Sequence, residues 1–209
     1  MTRDIKIIGL TGQTGAGKSS VSRIIRSQGI EVIDCDQVSR DVVAGQKPLL
    51  LDLALEFSIA ILNADGTLNR KKLGGIVFNN KEKLSRLNEI IFPYILYEID
   101  ERIKDMAKKG MPLVVLDAPT LFESGANRIC DYIISVIAPK ALRLNRIMIR
   151  DHLSDDEARR RMAAQPDDEF YTSRSQYVII NDADPHDLHV KTLELLETLR
   201  RLIGRRQEG

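Results

Sequence analysis

Apolar residues along this chain come in short runs, separated by stretches where they recur every third or fourth position. Ile5, Ile7, Ile8 and Leu10 make the first run, rich in β-branched residues, and read as a buried strand. Beyond it Val21, Ile24 and Ile25 have the spacing of one helix face, and Gly29 reads as that helix's stop. Ile30–Ile33 is a second short strand, Leu113–Leu116 a third, Tyr132–Ile137 a fourth and Tyr177–Ile180 a fifth. Leu188, Leu195, Leu199 and Leu202 mark a final helix. Apolar strands alternating with helices predict an α/β fold: a five-stranded parallel sheet covered by helices on both faces.

The second and third strands are too far apart for one crossover helix. After a break at Gly45 to Pro48, helical stripes run over Leu49–Leu62, Arg70–Phe78 and from Lys81 onward, with a turn at Asn63-Ala64-Asp65-Gly66. Pro93 is expected to interrupt or restart the last helix, after which Leu96, Ile99, Ile103 and Met106 form a second stripe. So long a helical insertion can wall a second substrate pocket. The chain reads as one domain, 1–209: a core over 1–48, 111–140 and 170–209, a helical lobe over 49–110, and a helical segment over 141–169.

Composition narrows the class. The 209 residues are 43% hydrophobic and 29% charged, as in soluble globular proteins, and suffice for a substantial core. A net charge of +1 gives no global field favouring nucleic acid or an anionic membrane, so anion binding has to be local. No apolar run approaches the length that spans a bilayer, and Cys35 and Cys130 stand alone, as reduced intracellular thiols do. A cytoplasmic protein is expected.

The chemistry concentrates at Gly12-Gln13-Thr14-Gly15-Ala16-Gly17-Lys18-Ser19, a full phosphate-binding loop pattern between the first strand and the first helix. Backbone N–H groups curl around a polyphosphate there, and glycines allow the close approach. Lys18 places a charge on the β- and γ-phosphates, the Ser19 hydroxyl can join a Mg²⁺ shell, and the helix N-terminus adds its positive end. Asp34 and Asp36 follow the second strand; on an extended chain, residues two apart face one side and can address one site. Asp36 is equally suited to N-cap a helix starting at Gln37, which is compatible with catalysis. Asp117, closing the third strand, resembles the acid that holds Mg²⁺ in nucleotide-binding folds. Lys140, Arg143, Arg146, Arg150 and Arg159-Arg160-Arg161 form a basic stretch in which Arg146 and Arg150 share a face. Such arginines either close over a transferring phosphate or pair with Asp151, Asp155, Asp156 and Glu157 on a solvated helix. The three histidines form no ligand constellation.

Taken in order, these segments resemble the dephospho-CoA kinases, a family of the phosphate-loop kinase fold. The likeness runs through Thr11-Gly12 to Ser20, Val32-Ile33-Asp34-Cys35-Asp36 with Arg40, and Asp65-Gly66-Thr67-Leu68-Asn69-Arg70. It continues in Asp117-Ala118-Pro119-Thr120-Leu121-Phe122-Glu123, Leu144-Asn145-Arg146 to Arg150-Asp151, Ala163-Ala164-Gln165 and Val178-Ile179-Ile180-Asn181. The resemblance implies ATP and Mg²⁺ as cofactors and transfer of phosphate to the ribose 3′-hydroxyl of dephospho-CoA. It implies catalytic roles for Asp36 as general base and for Lys18, Arg146 and Arg150. Gly12, Thr14, Gly15, Ala16, Gly17, Lys18, Ser19, Ser20 and Asn181 would hold ATP; Asp34, Arg40, Leu121, Glu123 and Phe92 would meet the acceptor; and Ser19, Asp34 and Asp117 would hold the metal. It makes 141–169 a lid and 49–110 the acceptor lobe, in a monomer or small homo-oligomer that binds neither nucleic acid nor membrane. Because an ordinary carboxylate, with a pKa of about 4, is a weak base for an alcohol, positioning and charge neutralisation must carry most of the catalysis.

Four positions depart from the family pattern. Phe92-Pro93 replaces the usual His-Pro, Thr120 a leucine, Ser58 a glycine and Tyr177 a commonly acidic residue. Shikimate kinase, which also carries Asp-x-Asp after its second strand, is the nearest alternative; its Gly-Gly-Gly loop and acidic Arg-bearing motif are missing here. A GTP-dependent switch lacks its Asn-Lys-x-Asp motif, and a catalytically silent nucleotide-binding protein is suggested only by Phe92 and its companions.

Overall fold

In a computed structural model that describes residues 5–205, the strands are β1 (Lys6–Gly12), β2 (Glu31–Asp34), β3 (Leu113–Asp117), β4 (Tyr132–Ile137) and β5 (Tyr177–Ile180). The outer bounds expected for the core, residues 1 and 209, lie outside the described residues. The chain divides into two compact units, residues 1–33 with 109–209, and residues 34–108.

The first unit is built on a parallel sheet of order β2-β3-β1-β4-β5. Ile8 pairs with Val115 on one side of β1 and with Tyr132 on the other, and β4 carries β5 at its far edge. Since β1 sits between β3 and β4, the crevice beyond its carboxyl end lies where the strand order reverses, the standard ligand position in open α/β sheets. Alternation along β1 separates two layers. Ile8 and Leu10 face α1 (Lys18–Ser27) and α9 (Pro185–Arg205), with Val21, Ile25, Leu196 and Leu199 fully or almost fully buried among them. Gly9 faces the opposite way, against Leu121 and the Cys130 thiol, in the segment that links β3 to β4. Phe122 of that segment meets Phe170 of α8 (Asp168–Thr172) edge to face at 5.5 Å, beside the buried Tyr171 of the same helix.

The second unit is helical: α2 (Cys35–Gly45), α3 (Lys47–Phe57), a 3₁₀ turn at Ile59–Ile61, α4 (Arg70–Val77) and α5 (Lys81–Lys108). Leu49, Leu53, Ile61, Val77, Ile99 and Ile103 are among its most deeply buried residues, at helical spacing within α3 and α5. Arg102 of α5 bridges Asp41 of α2 at 2.8 Å, and Tyr94 donates to Asp52 of α3 at 2.6 Å. Three expectations are corrected here. Pro93 does not break α5, which runs unbroken for 28 residues. Its ring lies on the exposed side, so the lost hydrogen bond costs about 3 kcal/mol without disturbing the buried stripe. Helix 49–62 stops at Phe57, where Ser58 takes φ +103° and ψ +143°. And α2 begins at Cys35 rather than Gln37: Asp34, not Asp36, caps it, accepting from Gln37 N–H at 2.9 Å. Asp36 therefore stands in a helical first turn, and the two-residue periodicity of an extended chain does not relate it to Asp34.

In the remaining unit α6 (Lys140–Asp151) and α7 (Asp155–Ala163) follow β4, the latter opened by a complete capping box between Ser154 and Glu157.

Two outcomes follow. Ser58→Gly relieves a conformation costing about 1–3 kcal/mol, against the loss of the Ser58 hydroxyl's bond from Ala60 N–H at 3.2 Å and glycine's extra unfolded-state entropy, each worth about 0.5–1 kcal/mol. Thermal denaturation should show a small gain, about 1–4 °C in Tm, and a fall would place the strain elsewhere. Burial first, and the Asp131 charge second, push the Cys130 thiol up to about 12. At pH 8 only about one such thiol in 10⁴ is ionised, so peptide mapping after thiol-reagent treatment should find Cys130 unmodified until the protein is denatured.

Candidate active site

The loop from Gly12 to Gly17 is shaped by what crowds it. A Cβ on Gly12 would collide with the Val136 carbonyl of β4, and one on Gly17, at φ +103°, with the Asn181 amide. Around this bare backbone, side chains from three later segments take up the outward-facing polar groups. Asn181, 5% exposed just after β5, donates through Nδ2 to the Ala16 carbonyl at 2.7 Å. Arg146 of α6 reaches the Gly15 carbonyl at 3.3 Å and Asn181 Oδ1 at 3.4 Å. Gln165 accepts from Thr14 N–H at 2.7 Å, while Gln13 donates to the Pro166 carbonyl at 3.0 Å. With its carbonyls held from outside, the loop keeps a fixed curl. The first turn of α1 carries no side-chain cap and no acidic residue, which leaves the helix end to an anion.

Lys18 pairs its ammonium with the Asp117 carboxylate, at a point where β3 is almost fully buried. Removing one member of such a pair strands the other charge in a poorly solvated place. Ser19 is exposed beside them in sequence, and Ser20 N–H closes the first turn on the Gly17 carbonyl at 2.9 Å.

The expected site residues divide accordingly. Gly12, Thr14, Gly15, Ala16, Gly17, Lys18, Ser19, Ser20, Asp117, Arg146 and Asn181 come together in the first unit. Arg150 is shared: its Nη2 lies 3.4 Å from Thr14 Oγ1, but Nε and Nη2 both donate to Asp151 at 2.8 Å, and Arg161 holds the same carboxylate at 2.6 Å. Thus the solvated-helix reading fits Arg159, paired with Asp155, and the loop-facing reading fits Arg146. Leu121 is completely buried, its Cδ2 crowding Gly9, so its side chain packs the sheet rather than offering surface to an acceptor; Glu123, two residues on, is exposed. Asp34, Asp36, Arg40 and Phe92 belong to the helical unit. Arg40 donates twice to Gln37 Oε1, at 2.8 and 3.1 Å, and Phe92 is half-buried along α5.

Motif reading missed Gln13, Gln165 and Arg143. Gln165 stood in a segment already singled out, and Gln13 inside the loop itself; an amide at such positions has no distinctive spacing. Arg143 belongs to the basic stretch for which the phosphate-facing and solvated readings both stood, and it is 3% exposed.

The crowding at Gly17 has a measurable consequence. Gly17→Ala should weaken ATP binding by more than about tenfold in titration calorimetry while the circular dichroism spectrum keeps its native form, because the added methyl strains φ and displaces Asn181. Unchanged ATP affinity would show that the loop adapts.

A family model described as dephospho-CoA kinase matches residues 6–187. A dephospho-CoA kinase of Carboxydothermus hydrogenoformans is 38% identical over 193 residues, covering 92% of this chain and 94% of that one. One of Fusobacterium nucleatum is 37% identical over 93% of this chain and 99% of the relative. Among solved structures, the dephospho-CoA kinase of Campylobacter jejuni superposes with a TM-score of 0.70 at 28% identity, covering 92% and 96% of the two chains. A shikimate kinase of Acinetobacter baumannii reaches 0.51 at 16% identity over 94% and 95%, a likeness of fold alone. With a family match over nearly its whole length and a phosphate loop locked from β4, α6 and β5, this chain belongs to the dephospho-CoA kinase family.

Proposed function

We propose that this protein transfers the γ-phosphoryl group of ATP to the ribose 3′-hydroxyl of dephospho-CoA, giving coenzyme A and ADP in the last step of coenzyme A biosynthesis. The observation that carries this reading is the complete phosphate loop, with Lys18 and Arg146 at it, inside a family match spanning residues 6–187.

In the transfer, the 3′-oxygen forms a bond to the γ-phosphorus as the bond to the β–γ bridging oxygen breaks, and the hydroxyl proton leaves to a base. Asp36 takes that proton. Little covalent work falls to the protein, so holding the two oxygens in line and neutralising charge lower the barrier. The loop N–H groups and the α1 end grip the polyphosphate, Lys18 exchanges Asp117 for phosphate oxygens, and Arg146 and Arg150 face the transferring group from the 141–169 lid. Asn181 keeps the loop in register through Ala16. By the family resemblance, Asp34, Arg40, Phe92 and Glu123 would meet the acceptor.

The donor set suits Mg²⁺: the Ser19 hydroxyl, Asp117 and Asp34 are hard oxygen ligands. No group of three or more His, Cys, Asp or Glu side chains placed to hold a metal ion occurs among the described residues. When bound, Mg²⁺ neutralises β- and γ-phosphate charge. No described helix is long and apolar enough to cross a membrane, and we place the enzyme in the cytoplasm as a monomer or small homo-oligomer.

A coupled assay with Mg-ATP and dephospho-CoA should yield ADP and coenzyme A. Asp36→Asn should lower kcat by about 10²–10⁴, the usual worth of a general base, with ATP affinity nearly unchanged. Should dephospho-CoA give no turnover while shikimate or another hydroxyl compound does, the acceptor is misassigned; full activity in Asp36→Asn would remove that residue from the chemistry.

A further inference from the structure

A cavity of about 510 Å³ opens beside the phosphate loop, between Gln13, the N-terminal half of α6, α7 and the Gln165-Pro166-Asp167 turn. Two buried polar groups in its lining have no hydrogen-bond partner. Arg143 is 3% exposed, and its Nε and Nη1 are unpaired. Asp168 and Tyr171 influence it only through space, and burial pulls its pKa below the usual arginine value. In the same lining, Gln13 Oε1 is buried and unpaired, its Nε2 being occupied by the Pro166 carbonyl.

A buried guanidinium without hydrogen bonds is costly, and the cost is conspicuous where neighbouring arginines of the same helix are paired. The two orphaned groups want opposite things. Arg143 offers N–H donors and positive charge, in the planar fork that suits a carboxylate or phosphate. Gln13 Oε1 accepts from an N–H or O–H. Leu144, Met162, Ala163 and Pro166 supply apolar wall, Lys140 and Arg159 add two further cations, and Asp167 brings one carboxylate to the lining. The volume is far larger than one inorganic ion needs and matches a small organic molecule.

We propose that this cavity binds an organic oxyanion that also carries a hydrogen-bond donor, with the oxyanion on Arg143, the donor on Gln13 and an apolar body along Leu144 and Met162. The site stands on these residues alone; only the choice of probe leans on the proposed function. 4′-Phosphopantetheine has a phosphate, amide N–H groups and a dimethyl-bearing chain, and the same chemistry reaches the protein either as the arm of dephospho-CoA or as a free metabolite.

Titration calorimetry on the full chain should show 4′-phosphopantetheine binding, and Arg143→Met or Arg143→Gln weakening it at least tenfold. Pantetheine, lacking the phosphate, should bind the wild type more weakly and lose little further in either variant. The variants should keep their ATP affinity and melt no lower than the wild type without ligand, since each removes an uncompensated buried cation. Inhibition of turnover by 4′-phosphopantetheine that is competitive with dephospho-CoA assigns the cavity to the acceptor's arm; non-competitive inhibition assigns it to a separate metabolite. Equal binding by wild type and both variants, no binding at all, or a lowered Tm with parallel loss of ATP affinity would overturn the site. A protein that binds the probe through Arg143 yet phosphorylates no dephospho-CoA would refute the proposed function and leave the cavity standing.

Discussion

A strip of backbone holds a polyphosphate only if its N–H groups stay turned toward the anion, and that depends on where its carbonyls go. Here the answer is outward: the Ala16 carbonyl is held by Asn181 and the Gly15 carbonyl by Arg146. These partners come from the end of β5 and from α6, more than 130 residues along the chain. The strand order makes this possible, because placing β1 against β4 and β4 against β5 brings both carboxyl ends to the loop. Gly12 and Gly17 are bare for the same reason, since β4 and Asn181 already fill the space a side chain would take. The sheet and the binding loop are one construction problem.

The parts legible in advance were those governed by local pattern. β4 and β5 occupy the predicted residues, since apolar runs flanked by polar turns admit few other readings. The phosphate loop was equally legible, its chemistry lying in spacing. Element ends were harder. Asp36 was expected to cap α2 and Asp34 does, a shift of two residues in the helix start that propensity cannot resolve. Pro93 looked like a breaker because its local penalty is large, but α2, α3 and α4 all pack on α5 and outweigh it. Leu121 shared a motif with exposed Glu123, and only the fold shows that it faces Gly9.

Charge pairing was the least legible feature. Lys140 to Arg161 reads as one basic stretch, yet its members have different partners: Asp151 for Arg150 and Arg161, Asp155 for Arg159, the loop for Arg146. Helical phase sorts them. Arg146 and Arg150 lie one turn apart and both reach the loop, at Gly15 and Thr14. Arg143, three residues before Arg146, reaches no partner through Nε or Nη1 and turns into the interior. Sequence gives the spacing of such residues but not which neighbour the third dimension supplies.

Ser58 and Arg143 both break local rules, and they differ in kind. Ser58 sits at a backbone angle that favours glycine, but its hydroxyl has a partner in Ala60, so relieving it should only stabilise. Arg143 keeps regular helical geometry while its charge goes unanswered, and the space beside it contains a second orphaned group of complementary polarity. Strain alone is a cost that selection can leave in place. An unmet charge and an unmet acceptor in the lining of one cavity have the form of a site, because one ligand satisfies both.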